Sequence, residues 1–81
     1  MINIRIEEVG DIHSKYNYLE VFYQDILNPF LDIGITDEKQ LSFKFYASQF
    51  DIILNAEEWE RILSIAKDFL PQALNDGDFL S

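Results

Sequence analysis

Residues 50–70 read FDIILNAEEWERILSIAKDFL, and this stretch decides the fold. It joins an apolar strand, a helix-start signal and the strongest helical stripe in the chain. Asn55 is placed to cap a helix by accepting from a first-turn N–H through its side-chain oxygen. Glu58, three residues on, can reach back to the N–H of the cap itself. Behind this box Trp59, Ile62, Leu63, Ala66, Phe69 and Leu70 recur at i, i+3, i+4 spacing, which stacks side chains on one helical face. The spacing predicts a helix over 56–70, with Trp59 as a core anchor. Glu57, Glu58 and Glu60 crowd its first turns, where carboxylates meet the positive end of the helix dipole, and together they set three negative charges at one rim. Pro71 lacks an N–H and clashes with the preceding turn, so the helix is expected to end or kink near Leu70. One more turn over 72–74 and a tail built around a turn over 75–81 would complete the chain.

Upstream, the pattern switches to sheet. Residues 2–9 alternate, with Ile2, Ile4 and Ile6 on one face and Asn3, Arg5 and Glu7 on the other, as in a half-buried strand. A turn-rich connection through Gly10 leads to a second strand over 16–25, YNYLEVFYQD, rich in aromatic and β-branched residues. Leu19, Val21 and Tyr23 share one of its faces. Tyr16, Tyr18 and Phe22 share the other with Glu20. Asn28-Pro29 breaks the chain, because proline pushes the residue before it out of the helical region. A third strand over 30–36 places Leu31, Ile33 and Ile35 inward and Asp32 outward, with Gly34 suggesting a bulge or a close backbone approach. Asp37, Glu38 and Lys39 form a polar hairpin loop. A fourth strand over 41–47 points Leu41, Phe43 and Phe45 inward and Ser42, Lys44 and Tyr46 outward. Residues 50–54 make a fifth. The expected architecture is therefore α+β: one domain over 1–81, with a five-stranded, mainly antiparallel meander and one C-terminal helix packed on one face.

Composition narrows the function classes. Fifteen acidic residues against six basic ones give a net charge of −9, a field that opposes nucleic-acid and anionic-lipid surfaces and speeds encounter with a basic partner. The six bases do not cluster, so exposed aromatics alone do not make a nucleic-acid platform. With no cysteine there is neither a disulfide framework nor a thiolate zinc site, in keeping with a reducing, cytoplasmic setting. MINIRIEEVG carries charges where a signal peptide needs an apolar run, and no apolar run is long enough to cross a bilayer.

Catalytic chemistry is missing as well. His13 is the sole histidine and falls in a loop, so no Cys–His pair or common zinc site can be assembled. The three glycines at 10, 34 and 77 are isolated and build no phosphate loop. Asp76-Gly77-Asp78 lacks the ligand ladder and terminal glutamate of a calcium loop. The chain is expected to be a non-enzyme without cofactor or metal. A carboxylate pair doing acid–base work is the third reading in order.

With the helix over one sheet face, the other carries Arg5, Glu7, Tyr18, Glu20, Phe22, Asp32, Lys44 and Tyr46. Tyrosines supply anchor area and acids supply complementarity, so Tyr18, Glu20, Phe22, Asp32 and Tyr46 are the candidate partner-binding residues. Glu57 and Glu60 join them as the alternative, a helix-borne recognition element. The same face could instead be an ordinary solvated surface, or the seam of a homodimer that hides Tyr18 and Phe22.

Residues 30–70, FLDIGITDEKQLSFKFYASQFDIILNAEEWERILSIAKDFL, place a strand–hairpin–strand unit before an EEWERIL helix. In this the chain resembles the small cytosolic immunity proteins of contact-dependent growth inhibition and related bacterial polymorphic toxin systems. The resemblance implies a tight one-to-one complex with a cognate toxin domain, most often a nuclease (RNase) with a basic cleft. The alternative is an acidic adaptor subunit.

Overall fold

The structure, a computed structural model, describes residues 4–49 and 51–80. Ile2 and Asn3, read above as opening the first strand, and Phe50 and Ser81 lie outside the described residues. Four strands, β1 (Ile4–Val9), β2 (Tyr18–Tyr23), β3 (Leu31–Ile35) and β4 (Leu41–Phe45), precede one helix, α1 (Ala56–Leu80). The sheet is an antiparallel meander in the order β1-β2-β3-β4.

Alternation sorts the side chains as the sequence implies. Leu19, Val21, Leu31 and Ile33 are buried on the helix side, with Ile6, Tyr23, Ile35, Leu41 and Phe43 packed around them. Fully burying such a side chain contributes about 1.5–3 kcal/mol, so this layer holds the domain together. The β3–β4 loop closes as a three-residue hairpin: Lys39 N–H donates to Thr36 C=O at 2.9 Å and Thr36 N–H to Gln40 C=O at 2.8 Å. Lys39 takes the left-handed φ of 64° that this loop type demands of its last residue. Between β2 and β3, Ile26 N–H donates to Tyr23 C=O at 3.1 Å, and Gln24 supplies the positive φ of 52°.

The start of α1 matches its signal. Glu58 N–H donates to Asn55 Oδ1 at 2.8 Å while Asn55 N–H donates to Glu58 Oε1 at 3.0 Å, a reciprocal capping box. Ile62, Ala66, Phe69 and Ala73 then bury one stripe against the sheet.

Several expectations need correction. The fifth strand is not seen: residues 51–54 pair with no strand among the described residues, and β4 is an edge of the sheet. Their alternation is nonetheless used, since Ile52 and Leu54 pack on the core while Ile53 is 74% exposed. The segment leaves the sheet and reaches the helix cap without lying along β4. The helix does not stop at Leu70; it runs 25 residues in all, from Ala56 to Leu80, through Pro71. Pro71 is exposed, and beyond it Ala73 and Gly77 are buried, so packing on the far side of the proline holds the last turns. Gly77 is helical because a ring lies against it: a Cβ there would overlap Cδ1 and Cε1 of Tyr16. Tyr16 therefore lies before β2, against the helix, and not among the open-face aromatics. Gly34 makes neither a bulge nor a close approach, as it pairs with Ser42 in unbroken register and a Cβ on it would meet nothing within 4 Å.

Trp59 is not a core anchor. It is 36% exposed and its ring lies 6.4 Å from that of Phe45, itself 60% exposed. The buried stripe is centred on Ile62, Ala66 and Phe69, which turns Trp59 to the flank. Phe45 has the inward parity of its strand, but it ends the edge strand, and its ring lies beside Trp59 on this flank.

Candidate protein-binding face

An antiparallel sheet covered on one side leaves its other side to water. Here the register aligns the outward residues into a lateral row. Glu7 stands opposite Glu20, Glu20 opposite Asp32, and Asp32 opposite Lys44, so three carboxylates cross three neighbouring strands before a cation ends the line. Directly opposed residues in a ladder have Cβ atoms about 4.5–5.5 Å apart, and like charges so placed are destabilising. Local partners relieve the two ends. Arg5 Nε donates to Glu7 Oε2 at 2.8 Å, and Tyr46 Oη donates to Asp32 Oδ2 at 2.5 Å. Asp32 Oδ1 is buried and accepts no hydrogen bond among the described residues.

Glu20, in the middle, shows the strain electrostatically. Burial raises its pKa above the ordinary carboxylate value, and Asp32 and Glu7 on either side raise it further. The same field reaches the phenols. Tyr46 is pushed up to about 12, first by its hydrogen bond to Asp32, then by burial and by the charges of Asp32 and Glu20. Tyr18 is raised by burial, then by Glu20, Asp32 and Asp11. Two of the face's aromatic rings carry a cation: Arg5 Cζ lies 4.3 Å from the Phe22 centroid and Lys44 Nζ 4.9 Å from that of Tyr46.

Of the residues singled out from the sequence, the fold brings Tyr18, Glu20, Phe22, Asp32 and Tyr46 onto this one face. Phe22 differs from the rest, being only 6% exposed beneath Arg5, so its ring is already covered. Glu57 and Glu60 are exposed on the first turns of α1, in the other layer, and do not join the row. Glu58 is no third rim charge, because the capping box buries it to 7% exposure. Glu7 completes the row. Alternation places it on the correct face, but that it stands beside Glu20 is a matter of register, which period-two patterning does not reveal.

Chemically the row accepts hydrogen bonds and pairs with cations. His13 is in an exposed loop, where its backbone N–H donates to Asp11 Oδ1 at 2.8 Å. No group of three or more His, Cys, Asp or Glu converges as metal ligands among the described residues. No helix among them is long and apolar enough to cross a membrane. Comparison with protein-family models, with curated proteins and with solved structures finds no match to the chain.

Proposed function

We propose that this chain is a non-enzymatic inhibitor that binds a basic protein partner through its open sheet face. The specific reading is a cytoplasmic bacterial immunity protein that neutralises a nuclease toxin, an RNase, in a one-to-one complex. The observation that carries it is the row Glu7–Glu20–Asp32, three opposed carboxylates on an uncovered face of a chain with net charge −9. Such a row weakens the isolated fold, and a cationic surface laid over it turns the same repulsion into attraction. Acids there would stand where substrate phosphates stand, and so exclude RNA from a basic cleft.

A face-to-face homodimer, one form of the adaptor reading, is disfavoured on the same ground. A two-fold contact would set carboxylates against carboxylates, and Phe22 already has its cover. The experiment mixes the chain with a cognate nuclease toxin domain, to be sought in the neighbouring reading frame. Cleavage should cease at a one-to-one dose, and Glu20→Lys with Asp32→Lys should restore it. Undiminished cleavage at stoichiometric excess sinks the proposal.

A further inference from the structure

The open face holds three aromatic side chains, and one differs from the others. Phe22 and Tyr46 each have a cation of this chain over the ring, Arg5 and Lys44 respectively. Tyr18 has none among the described residues. It nevertheless feels the field that favours one, since the carboxylates of Glu20, Asp32 and Asp11 all act on its phenol.

Beside Tyr18 there is room. A groove of about 310 Å³ is lined by Tyr18, Gly34, Lys15, Tyr16, Asn17 and Asp37, among others; Asp37 offsets the charge of Lys15, whose ammonium lies 5.3 Å from the Tyr16 ring centroid. Gly34 lies on the open face, at the outward parity of Asp32, two residues along the same strand. Nothing internal to the fold requires glycine there. Its φ is not positive, its register is unbroken, and a Cβ would find nothing within 4 Å. A mid-strand glycine weakens a strand through lost entropy and lost packing, and it commonly marks a place where a ligand or another backbone comes close. Among the described residues no backbone atom beyond its chain neighbours lies within 4 Å of where the Gly34 Cβ would stand.

We infer that the Tyr18–Gly34 groove seats an arginine side chain of the protein partner, its guanidinium stacked on the Tyr18 ring and paired with the neighbouring carboxylates. Charge complementarity selects a cation, and the planar fork of arginine suits both an aromatic face and a carboxylate acceptor better than an ammonium does. The vacancy at Gly34 leaves the space that the stack needs. This rests on the protein-binding reading of the face, and it adds which residue of the partner is read and where.

The test titrates N-acetyl-arginine amide into the isotopically labelled full chain at millimolar concentration and follows backbone amide shifts. N-acetyl-citrulline amide serves as the neutral control of the same shape. The expected result is a saturable shift centred on Tyr18 and Gly34 with arginine and none with citrulline. Gly34→Val should abolish it while leaving the melting temperature equal or higher, which separates a filled groove from a lost fold. Tyr18→Leu should abolish it too. Equal shifts with citrulline, an unchanged response in Gly34→Val, or no response at all overturns the groove. A response kept in Gly34→Val but lost in Glu20→Gln with Asp32→Asn removes the groove and leaves the acidic-row reading standing. The nuclease assay decides that broader reading independently.

Discussion

The two faces of this sheet are built from alternate residues of the same four strands, yet they obey different rules. On the helix side Val21, Leu31 and Ile33 have no exposure and Ile62 and Ala66 of the helix meet them with none. On the other side Glu7, Glu20 and Asp32 stand in line and repel. The first face holds what the fold needs; the second tolerates what the fold would be better without. A surface kept against the interest of stability is where a binding function is to be sought. The contrast is quantitative. Ile62→Ala should cost about 2–5 kcal/mol, a large share of the stability of so small a domain. Tyr18→Ala should cost far less. Urea unfolding of both variants measures the difference, and equal losses would erase the distinction between the faces.

Two glycines sharpen it further. Gly77 is buried on the helix side and its missing Cβ is occupied by the Tyr16 ring. Alanine is the better helix former by about 1 kcal/mol, but here it has to displace an aromatic ring. Gly77→Ala should therefore destabilise, by about 1–3 kcal/mol, as overpacking does. Gly34, on the open side, has empty space where its Cβ would be. Gly34→Ala should stabilise by about 0.5–1 kcal/mol. The same substitution is thus expected to have opposite signs on the two faces, read as shifts of the denaturation midpoint.

These residues also mark how far the sequence could be read. The cap was legible because Asn55 and Glu58 satisfy each other within four residues, without help from the rest of the fold. Strand alternation likewise placed Tyr18, Glu20, Asp32 and Tyr46 on one face. What failed depended on contacts distant in sequence. Pro71 and Gly77 are helix terminators by local rule, and Ala73 and the Tyr16 ring override them from the far side of the domain. The DIIL segment at 51–54 announces a half-buried strand, and of this Ile52 and Leu54 keep the half-burial without the strand. Which strand, if any, it pairs with is not encoded in its own pattern. Trp59 failed for a geometric reason, because a six-residue stripe is wider than the strip of helix the sheet can cover.

The smallest expected effects come from titration, and they test the open face directly. Glu20 has a folded pKa raised above its ordinary 4.5, so the folded state holds that proton more tightly than the unfolded chain. Its contribution to stability is greatest below 4.5 and is lost as pH rises through the folded value. Glu20→Gln removes the loss, so the variant should gain on the parent as pH rises from acid to neutral, by a few tenths of a kcal/mol. Thermal melts across that range give the sign. At the alkaline end, Tyr46 has the same sense of shift, from 10.0 to about 12. The stability it lends is intact below 10 and disappears as pH climbs through about 12. Tyrosinate absorbance should show a late-ionising phenol that Tyr46→Phe deletes. In Asp32→Asn the acceptor loses its charge, and that phenol should ionise earlier. If Asp32→Asn leaves the late ionisation in place, Asp32 is not what holds Tyr46, and the field assigned to the open face fails at its best-defined contact.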